Sequence, residues 1–103
     1  MTTRAVVKGI GHYLPDRIVP NSEFTATLET SDAWIQARSG IENRHFAAEG
    51  QGTSDLAARA ASAALIDAGL EVEALDAIIV ATSTPDLTFP SVGTMVQEQI
   101  GMT

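Results

Sequence analysis

A chain of 103 residues is long enough for one small domain that buries about two-thirds of its unfolded surface, and its 45% apolar content argues against disorder. Six basic against thirteen acidic side chains give a formal charge of −7, which repels phosphate backbones and argues against a nucleic-acid module. The absence of cysteine excludes disulfides and thiolate zinc sites, and no apolar run is long enough to span a bilayer.

Met1-Thr2-Thr3-Arg4 leads directly into a strand pattern rather than a secretory h-region, so a cytoplasmic location is expected. Residues 5–10 read as that strand, ended by Gly9, Gly11 and Pro15, whose missing N–H stops a ladder. Pro20 then opens a turn, with Asn21 or Ser22 as N-cap of a short helix through Phe24 and Leu28. A second cap at Thr30 or Ser31 starts another helix, with Asp32 in its first turn and Gly40 as its left-handed stop.

Residues 41–46 read as a short extended segment and 47–52 as an exposed loop. Thr53 or Ser54 caps a helix to about Ala68, closed by Gly69-Leu70. Its small face of Ala57, Ala60, Ala61, Ala64 and Ala68 predicts close packing and burial against a sheet. Residues 77–81 form a continuous apolar run, the mark of a strand covered on both faces in a parallel sheet. Residues 82–89 lie at its carboxyl end, where open α/β sheets place ligand sites. Pro90-Ser91 begins a last helix with Val92, Met95, Val96, Gln99 and Ile100 at helical spacing, stopped by Gly101. The order strand, helices, strand, helix predicts an α/β fold without internal repeats.

The candidate ligand face is on the second helix. Trp34, the only tryptophan, and Arg38 are one turn apart, with Thr30 one turn earlier on the same side. A hydroxyl, a flat indole and a planar cation in a row suit a heteroaromatic ring bearing phosphates, such as coenzyme A. The same spacing also suits a core or subunit-contact tryptophan covered by its arginine.

Elsewhere the chemistry is sparse. Gly9-x-Gly11 lacks the third glycine of a dinucleotide fingerprint, Leu14 standing there, and His12 and His45 have no local metal-ligand spacing. Asp55, Glu71, Glu73 and Glu98 read as solvated charges, and Ser83 and Ser91 lack a nucleophile elbow. Phe89 reads as loop packing over the sheet. No catalytic set and no metal site is expected in this chain.

One segment is more specific than its spacing. Thr30-Ser31-Asp32-Ala33-Trp34-Ile35-Gln36-Ala37-Arg38-Ser39-Gly40-Ile41, followed by Arg44-His45, resembles the amino-terminal signature of the β-ketoacyl-[acyl-carrier-protein] synthase III family. Gly9-Ile10-Gly11-His12-Tyr13-Leu14-Pro15 resembles that family's opening strand and turn, and Asp76-Ala77-Ile78-Ile79-Val80-Ala81-Thr82-Ser83-Thr84-Pro85-Asp86, then Phe89-Pro90-Ser91, its next core strand and loop.

The resemblance implies that residues 1–103 are the amino-terminal portion of a thiolase-like condensing-enzyme domain about three times as long. It implies a cytoplasmic homodimer that starts fatty-acid synthesis by condensing an acyl group from acyl-CoA with malonyl-acyl carrier protein. Coenzyme A thioester is then a substrate, and no cofactor is implied. The catalytic cysteine, histidine and asparagine are expected beyond Thr103, leaving this chain inactive alone. Carried over by position, Thr30, Trp34, Arg38 and Ser39 line the coenzyme A entrance. Phe89 reaches across the dimer to the acyl pocket, with Thr82, Ser83 and Thr84 near it. A starter synthase or acyltransferase of secondary metabolism shares such a signature, and a non-catalytic interaction fragment is the remaining alternative.

Overall fold

The computed structural model describes residues 2–103. In chain order it contains strand β1 (Arg17–Pro20), helices α1 (Asn21–Thr25) and α2 (Asp32–Ser39), strand β2 (Asn43–Phe46) and the long helix α3 (Thr53–Ala68). A 3-10 turn (Val72–Ala74) and helix α4 (Val92–Ile100) follow. The chain divides into two compact units, one of residues 14–50 and the other of the preceding residues together with 51–103.

In the first unit, β1 and β2 pair antiparallel, with Ile18 opposite His45 and Val19 opposite Arg44. The extended 41–46 segment thus becomes a strand, and its partner is a stretch to which the sequence assigned no element before the turn expected at Pro20. β-branched Ile18 and Val19 favour the pleat; Val19 points inward and is fully buried. Pro20, without an N–H to give, ends the strand and serves as N-cap of α1, so Asn21 is the first helical residue rather than the cap. The helix also stops at Thr25, short of Leu28, which is reached by a turn whose N–H donates to Phe24 O at 2.8 Å.

Helix α2 follows its sequence signals. The Ser31 Oγ accepts the Trp34 N–H at 3.1 Å, Asp32 occupies the first turn, and Gly40 closes the helix in the left-handed conformation at φ +70°. Thr30 is just outside the helix, one residue before the cap.

In the second unit, α3 packs on α4 around Ala58, Val92 and Val96, with Ile78, Val80 and Ile100 flanking. Ser91 caps α4, and Gly101 ends it. The α3 cap is Gly52, not Thr53 or Ser54: the Asp55 carboxylate accepts the Gly52 N–H at 2.8 Å, so Asp55 is a capping group rather than a merely solvated charge. Ser54 is instead buried within a polar knot. Its N–H and hydroxyl donate to the two oxygens of Asp86, each at 2.7 Å, and the Gln99 amide donates to its Oγ at 3.2 Å.

Two predicted strands are corrected. Residues 5–10 and 77–81 have no ladder, because β1 and β2 make up the only sheet among the described residues. A strand exists through its neighbour's hydrogen bonds, and neither segment has one here. Residues 5–11 instead lie along the alanine face of α3. A Cβ on Gly9 would come within 2.6 Å of the Ala68 nitrogen, and one on Gly11 within 2.7 Å of the Ala60 carbonyl oxygen. The alanines therefore admit bare backbone, the close approach that a stripe of small residues permits. Residues 77–81 are covered on one face only, Ile78 and Val80 turning to the core while Ile79 is 95% exposed. Helix α3 is likewise less buried than expected, with only Ser54 and Ala58 fully inside.

Candidate functional site

The groove beside α2 is built from two successive helices. Phe24 and Leu28, from α1 and the turn after it, form one wall; Thr30, Ser31, Trp34 and Ile35 form the other, with Glu29 at the edge. The open cavity measures roughly 700 Å³. It is apolar at its base, where Phe24 and Ile35 are half-buried, and it presents the indole of Trp34, 57% exposed.

The Arg38 guanidinium carbon lies 5.5 Å from the centre of the Trp34 ring, the stacking that four-residue spacing predicts. Its charge is otherwise unengaged. Arg17 pairs with Glu23 at 2.7 Å, and Arg44 donates to Asn21 and to the Val19 carbonyl, whereas Arg38 makes no hydrogen bond among the described residues. Ser39 has a different local task. Its hydroxyl donates to Ile35 O at 2.8 Å and accepts the Ile41 N–H at 3.2 Å, tying off the helix end. Thr30 and Trp34 are thus brought together in the groove, Arg38 covers the indole, and Ser39 stands one turn beyond.

A polar network beneath α2, which sequence reasoning missed, fixes the helix. Asp32 accepts from both Gln36 Nε2 and Asn21 Nδ2, and these donors, Gln36 foremost, hold its carboxyl below the usual aspartate range. The Asp32 to Gln36 spacing was the one available signal. Asn21 and Arg44, distant in sequence, gave none. The groove residues Phe24, Leu28 and Ile35 were also missed, being ordinary apolar positions.

Phe89 belongs to the other unit, on the segment leading into α4, and is 88% exposed. Upstream of it the loop is pinned: the Thr53 hydroxyl donates to the Thr84 carbonyl, and the Thr84 N–H donates to Thr82 Oγ1 at 3.1 Å. The hydrogen-bonded Asp86 carboxyl is held below its usual range, chiefly by the Ser54 hydroxyl. Leu87, Thr88 and Ser91 border a second open cavity of roughly 450 Å³ with Ile78, Ile79 and Val80. His45 contacts the Pro15 carbonyl, and no cluster that could hold a metal occurs among the described residues.

No protein-family model matches the chain. Over all 103 residues it is 72% identical to a β-ketoacyl-[acyl-carrier-protein] synthase III of Cereibacter sphaeroides, of which it covers 32%. The chain therefore spans about a third of the length of the curated relatives it matches. The crystal structure of a β-ketoacyl-[acyl-carrier-protein] synthase III from Thermus thermophilus superposes with a TM-score of 0.85 at 43% identity, covering 94% of this chain and 30% of that one. A priming β-ketosynthase from the R1128 polyketide biosynthetic pathway gives a TM-score of 0.85 at 28% identity, covering 92% and 28% respectively. The two strands and the helices thus form part of a thiolase-like α/β fold.

Proposed function

From the chain's correspondence to the amino-terminal portion of β-ketoacyl-[acyl-carrier-protein] synthase III, we propose that it supplies the coenzyme A entrance of a cytoplasmic condensing enzyme. That enzyme transfers an acyl group from acyl-CoA to a cysteine and condenses it with malonyl-acyl carrier protein, the opening step of fatty-acid synthesis. The chain has no cysteine, so its contribution is binding rather than covalent chemistry. Trp34 stacks on the adenine, Arg38 meets phosphate or ribose, Thr30 and Ser39 border the entrance, and Phe89 shapes the acyl pocket of a homodimer.

The unengaged guanidinium of Arg38 over an exposed indole is the observation that carries this reading. In the same unit Arg17 and Arg44 are both bonded, and Arg38 alone keeps its guanidinium donors available. An arginine free to fork onto phosphate beside an open aromatic face matches the two ends of an adenosine phosphate.

The test is an exchange. Residues 1–103 replace the corresponding portion of the Cereibacter sphaeroides relative, and condensation is measured against acyl-CoA concentration. Trp34→Ala and Arg38→Ala are expected each to raise the KM for acyl-CoA about tenfold while changing kcat less, because they act at the nucleotide end rather than at the reacting carbonyl. Unchanged KM in both variants returns α2 to a purely structural role. The likeness to the polyketide priming enzyme supports a second reading, a starter synthase of secondary metabolism, which acyl-CoA preference in the same exchange separates from the first.

A further inference from the structure

Helix α2 has no buried residue, so burial of an apolar face does not fix its orientation as it does for most amphipathic helices. Beyond the half-buried Ile35, polar contacts fix it, and they converge on one side chain. The Asn21 carboxamide is 1% exposed, and its hydrogen bonds lead to the two ends of α2 and to β2. Nδ2 donates to Asp32 Oδ1 at 2.8 Å, in the first turn of α2, and to Ile41 O at 2.7 Å, just past the helix end. Oδ1 accepts from Arg44 at 2.6 Å, on β2, and the Asn21 main-chain N–H donates to Glu42 O at 3.1 Å.

We propose that Asn21 is a positioning residue for the coenzyme A groove: one buried carboxamide joins both ends of α2 to β2 and so holds the Trp34–Arg38 face in place. This rests on the reading of that groove given above. A carboxamide alone meets the demand, because the site needs two donors toward Asp32 and Ile41 and one acceptor toward Arg44. Aspartate in its place keeps the acceptor but sets a carboxylate against Asp32 and the Ile41 carbonyl. Alanine leaves Arg44 and Ile41 without their buried partner.

Because Trp34 is the only tryptophan, its emission in the 103-residue chain reports on this face directly. The chain, held at sub-micromolar concentration below its expected self-association, is titrated with coenzyme A while Trp34 emission is followed, with far-UV circular dichroism recording that helix content is kept. Asn21→Asp is expected to shift the Trp34 emission without ligand and to weaken coenzyme A binding about tenfold or more. The exchange pair Asn21→Asp with Asp32→Asn rebuilds a donor facing an acceptor and keeps the Arg44 contact. It is expected to recover binding to within about threefold of the parent, the remainder reflecting the lost Ile41 bond. Recovery by the pair of both coenzyme A binding and the parent Trp34 emission supports the proposal. Parent-like binding by Asn21→Asp, or no recovery by the pair, overturns it. Arg38→Ala is the control: if it binds coenzyme A like the parent, the groove reading itself fails, whereas weakened binding there with indifferent Asn21 variants fails the positioning role alone.

Discussion

Three arginines in the unit of residues 14–50 show how identical side chains divide between architecture and recognition. Arg44 forks onto the Val19 carbonyl at 3.2 Å and Asn21 at 2.6 Å, while its guanidinium covers the Phe24 ring at 4.6 Å. Arg17 pairs with Glu23 and lies 5.5 Å from the centre of the Phe46 ring. Arg38 has only its indole. Lysine cannot reproduce a planar fork and a ring contact together. Arg44→Lys is therefore expected to lower the unfolding free energy of the chain by about 1–2 kcal/mol in urea denaturation, and Arg38→Lys by less than about 0.5 kcal/mol. Equal losses would contradict the division. Of these roles, the Trp34–Arg38 stack was legible in the sequence, since four-residue spacing on a capped helix sets it. Arg17 and Arg44 were not, because their partners are fixed by strand register and by a buried asparagine that looked like a cap.

Helices were more legible than strands, of which only the extended 41–46 segment was anticipated, for a physical reason that shows in each element. The ends of α2, α3 and α4 are set by local chemistry: Ser31 and Ser91 accept main-chain N–H groups, and Gly40, Gly69 and Gly101 adopt positive φ. Residues 5–10 and 77–81 carry strand composition, but a ladder depends on a neighbour that composition does not name. The start of α3 lies between these cases. Its cap is shared by Gly52, Asp55 and the Ser54 clasp to Asp86, 32 residues away. Asp86 titrates below its ordinary value of 3.8 in the folded chain. A depressed folded pKa means that the carboxylate contributes stability above the unfolded value and loses it as pH falls through the folded one. The chain is thus expected to lose stability progressively as pH falls below about 4. Asp32, depressed in the same direction, contributes to the same loss. In thermal unfolding followed from pH 7 to pH 2, Ser54→Ala should flatten the acid limb, because the main Asp86 donor is gone. An acid limb of unchanged steepness in that variant would exclude the clasp as a cause.

At the scale of the whole chain, the amount of surface inside is small beside the amount left out. Among the described residues, fully buried apolar side chains are confined to Val19, Ala58, Val92 and Val96, whereas Val6, Val7, Ile10, Ile79 and Phe89 are each more than two-thirds exposed. Four of these five lie on the extended segments without ladders, where the one main-chain bond to a side chain is from the Ile10 N–H to Asp67 at 2.9 Å, so main-chain groups without a strand partner accompany apolar side chains in the same stretches. Such an edge is a template for pairing. The burial of a few valines and alanines contributes on the order of 1.5–3 kcal/mol per larger side chain, a thin margin against the entropy of ordering about a hundred residues. The 103-residue chain is therefore expected to self-associate or to unfold in part at micromolar concentration. Its amides at Ile78, Ile79 and Val80 should exchange with solvent rapidly in the dilute limit, since no strand protects them. Sedimentation over a hundredfold range of concentration, about the span needed to separate monomer from dimer, paired with hydrogen exchange at those three residues, decides the matter. Concentration-dependent mass with protection that rises alongside it fits pairing along the exposed edge. A monomer at every concentration with slow exchange at Ile78 to Val80 would mean that the chain protects its apolar run by itself, and that the open edge is not a site of association.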